Sequence, residues 1–107
     1  MVELFPPSKL MNRSFKSWLL TAAELPKVGA KIFLEQVPCP SCATCRLEFL
    51  YIAAEMDRIG YLNVWCSNCG IGIRISRVRV PASFEFSTFE QVEHGEIVPP
   101  AFEEVQA

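Results

Sequence analysis

A small α+β fold, mostly β, is predicted by three features of the sequence. Two Cys-x-x-Cys pairs bracket a segment rich in branched and aromatic residues, a stretch with helical apolar spacing precedes them, and a base-free acidic stretch follows. At 107 residues there is room for one ordinary core. With 50% hydrophobic and 21% charged residues the chain is apolar enough to build it. The expected organisation is an N-terminal helical segment over 1–30, a three-stranded antiparallel sheet domain over 31–80, and an acidic aromatic tail over 81–107.

The first element is a helix. Pro6-Pro7-Ser8 resembles a helix start, with Ser8 as the N-cap. Leu10, Met11, Ser14, Phe15, Trp18, Leu19 and Ala22 then recur at spacings of three and four, opposite Lys9, Arg13 and Lys16. Pro26 ends the pattern, and such a stripe most often packs on the protein's own core. After a turn at Gly29, the segment from Lys31 to Val37 reads as a short strand stopped by Pro38.

From Arg46 to Met56 two readings compete. Leu47, Phe49 and Tyr51 against Glu48, Leu50 and Ile52 suit a strand buried on both faces, whereas Ala53-Ala54-Glu55-Met56 with Gly60 as a stop suits a helix begun by Thr44. The strand is favoured, because the turn-like Asp57-Arg58-Ile59-Gly60 leads into Tyr61–Trp65, which pairs back as a hairpin. A third strand runs from Ile71 to Val80. Its alternation slips at Ser76-Arg77, which predicts a bulge or the strand's end.

Charge is unevenly placed. Residues 1–80 hold all ten bases against six acids, and residues 81–107 hold six glutamates and no base, for a net charge of −2. That total disfavours a nucleic-acid binder working by bulk positive charge. The longest apolar run, Phe49–Ala54, is six residues, against about 20 for a bilayer span, so no membrane partner is expected. The opening Met1-Val2-Glu3 lacks the basic stretch of a secretory signal, which points to a cytoplasmic protein.

Five cysteines stand at 39, 42, 45, 66 and 69. Two residues between thiolates let one tight turn offer both sulfurs to a metal at about 2.3 Å, and a second such turn completes a tetrahedron around zinc. Pro40 presets the backbone of the first turn, and Gly70 supplies a left-handed residue after the second. Cys39, Cys42, Cys66 and Cys69 are therefore the candidate ligands of one structural zinc per chain. Cys45 is an alternative ligand, because Cys42 and Cys45 also form a Cys-x-x-Cys pair; Pro40 favours Cys39, leaving Cys45 as a small buried residue. Spacing alone also suits a redox pair or a four-thiolate iron centre, but zinc is the commoner occupant. An odd cysteine count and paired turns argue against disulfides.

The stretch Cys39-Pro40-Ser41-Cys42, a hairpin, and Trp65-Cys66-Ser67-Asn68-Cys69-Gly70 followed by a strand resembles a zinc ribbon, over about residues 31–80. That resemblance implies a three-stranded sheet with two metal knuckles, a module found in transcription factors, polymerase subunits, ribosomal proteins and bacterial and phage regulators. Ala43 departs from it, standing where the first knuckle usually carries glycine.

Four thiolates leave no position for a reacting water, and His94 is the sole histidine, so no enzyme and no small-molecule substrate are expected. Two functions remain. The first is a protein-interaction module, an adaptor, inhibitor or accessory subunit of a larger complex. Its ribbon is formally neutral once zinc is bound, and Phe84, Phe86, Phe89 and Phe102 among the tail glutamates are candidate partner contacts. Alternatively Phe84 and Phe86 form one more strand on the core. The second function is nucleic-acid or transcription-complex binding through Arg74, Arg77 and Arg79, with Trp65 as a stacking surface. Arginines alternating with branched residues also suit the solvated face of an edge strand.

Overall fold

In the computed structural model, residues 14–106 are described. Ser8, Leu10 and Met11 lie outside them. Ser14 is the N-cap of the first described helix rather than a residue within it, and its hydroxyl accepts from the Ser17 amide. Helix α1 (Phe15–Ala23) buries Trp18 and Ala22, and Phe15 packs against the same core. Leu19, part of the predicted stripe, is 40% exposed and Leu20 is 59% exposed. Pro26 does not simply end this helix. It sits in the first turn of a short second helix, α2 (Leu25–Val28), where a missing N–H is harmless.

Gly29 makes the expected turn, at a φ of 88° that favours glycine. The next element differs from expectation: Ala30–Gln36 is a helix, α3, and not a strand. Alanine, lysine, leucine, glutamate and glutamine are good helix formers, and only Phe33 of the seven residues is buried. Val37 is extended because Pro38 follows.

Strands β1 (Leu47–Ala53), β2 (Ile59–Cys66) and β3 (Ile71–Arg79) form an antiparallel meander. The helix alternative for residues 46–56 is thus discarded. The predicted slip is a bulge: Gly60 pairs with Val78 and Tyr61 with Ser76, leaving Arg77 unpaired at a φ of 61°. The sheet is larger than three strands, however. It is five-stranded and mixed, because β4 (Ser87–Thr88) joins β1 in parallel and β5 (Glu103–Glu104) joins β3 in parallel, giving the order β4-β1-β2-β3-β5.

Register assigns the two faces. Leu47, Phe49, Tyr51, Leu62, Val64, Ile73 and Ile75 share one face, over which Trp18, Ala22, Leu25 and Phe33 close the core. The other face carries Leu50, Ile52, Tyr61, Asn63, Trp65, Gly72 and Arg74.

The acidic stretch wraps around this sheet. Phe84 packs edge-on against Phe49 and Tyr51, at ring centroids 5.9 and 5.6 Å apart. The chain then passes the β1 edge, enters the short helix α4 (Phe89–Glu93) behind a Thr88 capping box, and brings Phe89 onto Tyr61. It ends on the β3 edge, where Val105 is buried. Arg58 fixes the start of that path. Its guanidinium donates to the carbonyls of Val80, Pro81 and Phe84 and lies 4.8 Å from the Phe86 ring centroid. Among the described residues no helix is long and apolar enough to cross a membrane.

Candidate metal centre

Two turns of one design face each other between α3, β1, β2 and β3. In the first, the Ala43 amide donates to the Cys39 carbonyl at 2.8 Å; in the second, the Gly70 amide donates to the Cys66 carbonyl at 2.9 Å. The residue closing each turn is left-handed, Ala43 at a φ of 67° and Gly70 at 75°. The Ala43 departure noted in the sequence is therefore accommodated by strain, since an L-residue in this region costs about 1–2 kcal/mol.

The turns converge on one point. The sulfurs of Cys39, Cys42, Cys66 and Cys69 all lie within 4.8 Å of one another, with Cys39 to Cys69 at 3.7 Å and Cys42 to Cys66 at 3.6 Å. A tetrahedron with metal–sulfur bonds of about 2.3 Å has sulfurs about 3.8 Å apart, so the cluster fits a metal ion of zinc's preferred geometry. All four are free thiols, and their spacings far exceed the ~2.05 Å of a disulfide. Cys39 and Cys66 are buried while Cys42 and Cys69 are half-buried.

Surrounding groups prepare the sulfurs unequally. Burial pushes the Cys39 thiol far above the ordinary range and raises that of Cys69. Burial also acts to raise Cys42, but hydrogen bonds from the Thr44 hydroxyl at 3.1 Å and the Asn68 amide at 3.5 Å outweigh it and hold this thiol down at about 6. Cys42 is thus the thiol of the cluster that most favours its thiolate form. A bound cation would favour loss of the protons from Cys39 and Cys69.

Cys45 stands outside this cluster. It is exposed rather than buried as expected, and its thiol donates toward the Gln36 carbonyl at 3.7 Å. The three candidate arginines stand in different settings. Arg74 donates to Asn63 Oδ1 at 2.7 Å and to Glu104 at 3.2 Å, beneath Phe102; Arg77 is the bulged residue; Arg79 lines a groove beside α1. Trp65 is stacked on Phe102, with the rings 4° from parallel. The four tail phenylalanines are engaged within the chain: Phe84 on Phe49 and Tyr51, Phe86 under Arg58, Phe89 on Tyr61, Phe102 on Trp65.

Two contacts that the sequence did not disclose tie the rest of the molecule to the knuckles. The Trp18 indole N–H donates to Ser41 Oγ at 2.9 Å, joining α1 to the first turn. The Glu103 amide donates to the carbonyl of Gly70 at 2.8 Å, joining β5 to the second.

Comparison of the chain with family models, with curated proteins and with solved structures finds no match. The reading of the site accordingly rests on its own chemistry.

Proposed function

We propose that the protein is a non-catalytic protein-interaction module in which one zinc ion, held by Cys39, Cys42, Cys66 and Cys69, fixes a ribbon-like scaffold. The convergence of the four sulfurs carries this reading. With four protein thiolates the coordination sphere is full, which suits a structural ion and not a reacting one. The surface supports the interaction role: a 280 Å³ groove between α1 and the end of β3 is lined by Leu19, Leu20, Pro26, Ile75 and Val78, with Arg79 at its rim. Adaptor, inhibitor or accessory subunit of a larger assembly is the class of role that such a scaffold serves. Binding to nucleic acid is the weaker alternative, since Arg74 is already paired.

Two measurements test it. Native mass spectrometry should find one zinc per chain, retained in Cys45→Ser and lost in Cys66→Ser; a folded, metal-free wild-type chain overturns the zinc reading. Affinity capture with zinc-loaded wild type and Leu20→Asp, with and without nuclease, addresses the role. Nuclease-resistant capture abolished by Leu20→Asp supports a protein partner at the groove, whereas capture lost to nuclease favours the alternative.

A further inference from the structure

The β3 edge beside the second knuckle has the build of a receptor, and residues 102–105 have the build of its ligand. On the receptor side, Trp65 and Arg74 project from neighbouring strands on the same sheet face. The Arg74 guanidinium is aimed by Asn63, a side chain only 1% exposed that accepts from Arg74 Nε at 2.7 Å and donates to the Leu50 carbonyl at 3.1 Å. Asn63 and Leu50 lie outside residues 102–105, so this part of the aim is supplied by the sheet itself. Between these two side chains lies Gly72, where an added β-carbon would stand 2.5 Å from the Val64 carbonyl oxygen and 2.7 Å from both Trp65 Cβ and the Phe102 ring. The glycine thus permits the close approach of β2 and also leaves room for an aromatic ring. The carbonyls of Gly70 and Gly72 form an edge of the kind used in strand addition, taken in this structure by β5.

The occupying segment matches each feature. Phe102 stacks on Trp65 and lies 5.1 Å from the Arg74 guanidinium, Glu104 reaches Arg74 at 3.2 Å, Val105 is buried, and the amides of Glu103 and Val105 donate to Gly70 and Gly72. Its ion pair is exposed, joining Arg74 and Glu104 side chains that are each more than a third accessible, where such a pair adds little. Residues 98–102 make no backbone hydrogen bond among the described residues, and Val98 is 81% exposed, so the segment is joined to α4 by a stretch that does not pin it.

We infer that the β3 edge formed by Trp65, Gly72 and Arg74 is a binding site for an extended peptide of the pattern aromatic–acidic–acidic–aliphatic on a partner protein, and that Phe102–Val105 is its resident competitor. The aromatic ring fills the room beside Gly72, the second acid pairs with Arg74, and the edge carbonyls read the backbone. This gives the proposed interaction module a partner chemistry and rests on that reading. It uses the sheet face opposite α1, so its failure leaves both the zinc and the groove untouched.

The probe is a fluorescein-labelled peptide, Pro-Pro-Ala-Phe-Glu-Glu-Val-Gln-Ala, titrated by anisotropy against full-length, zinc-loaded protein. The variant Phe102→Ala/Glu104→Ala, which weakens the competitor in place, should bind it roughly tenfold or more tightly than wild type, because a tethered competitor acts at high effective concentration. Adding Arg74→Met to that variant, or replacing the peptide's phenylalanine by alanine, should each remove about tenfold or more of the affinity. The single change Glu104→Lys should give the same ordering against wild type and serves if the double variant fails to load zinc. Equal affinity for wild type and folded variants, or insensitivity to Arg74→Met, overturns the inference. Concentration-dependent wild-type dimers that the free peptide dissolves would assign the edge to a second copy of the chain and overturn the separate partner.

Discussion

Ala43 is a residue held against its preference. At a φ of 67° it occupies the position that Gly70 fills in the twin turn, and both close the same amide-to-cysteine-carbonyl bond. Ala43→Gly relieves about 1–2 kcal/mol of left-handed strain but adds about 0.4–1 kcal/mol of unfolded-chain freedom. The net expectation is a gain of roughly 0.5–1 kcal/mol, read as a thermal midpoint a few degrees higher at fixed zinc. A lowered midpoint would show that the first knuckle draws no strain from this residue. The same scale shows how site legibility divides. The Cys-x-x-Cys spacing selects the four converging sulfurs, and Pro40 rightly favours Cys39 over Cys45, since both are consequences of local turn geometry. The Trp18 bond to Ser41 spans 23 residues and follows no periodicity, so no pattern in the sequence announces it.

Among the elements, the acidic stretch is the one whose path depends most on a single side chain. Arg58 sits in the turn between β1 and β2, itself left-handed at a φ of 62°, and its fork holds three carbonyls of residues 80–84. Methionine keeps the length of the side chain and none of the donors. Arg58→Met should therefore destabilise by about 1–3 kcal/mol, with amide exchange accelerated first over residues 81–88, where β4 begins. Unchanged protection there would mean that Phe84 on Phe49 and Tyr51 holds the segment unaided. Strands β1 to β3 and the Arg77 bulge are legible because a period of two, and its slip, are local properties of sequence. Helix α3 is misread because Ile32, Phe33 and Val37 in the stretch Lys31–Val37 also fit a strand, whereas the helix-forming residues around the one buried side chain, Phe33, favour the helix. β4 and β5 are two residues each and pair in parallel with strands far away in sequence, a long-range geometry that alternation does not encode.

For the molecule as a whole, the two knuckles are where its parts meet. Helix α1 reaches the first through Trp18 and Ser41, β5 reaches the second through Gly70, and Cys39 and Cys66 belong to the same hydrophobic cluster as Trp18, Phe33 and Val105. Without a bound cation the four sulfurs stand crowded within 4.8 Å of one another, with Cys42 favouring its charged form and Cys39 and Cys69 resisting theirs. The apparent binding energy of a structural zinc, about 10–16 kcal/mol at neutral pH in small fingers, is of the same order as or larger than the ~5–15 kcal/mol that stabilises an ordinary domain. Chelation should consequently unfold helices, sheet and acidic segment together. Far-ultraviolet circular dichroism and tryptophan fluorescence, the latter reporting Trp18 at the first knuckle and Trp65 under Phe102, should then fall along one curve, and one equivalent of zinc should restore both. Separate curves, with Trp65 emission surviving loss of the metal, would mean that the acidic segment and the outer sheet face hold together without the knuckles. Because the thiolates compete with protons for the ion, the same coincident transition is expected on acidification, and zinc release should accompany it rather than follow it.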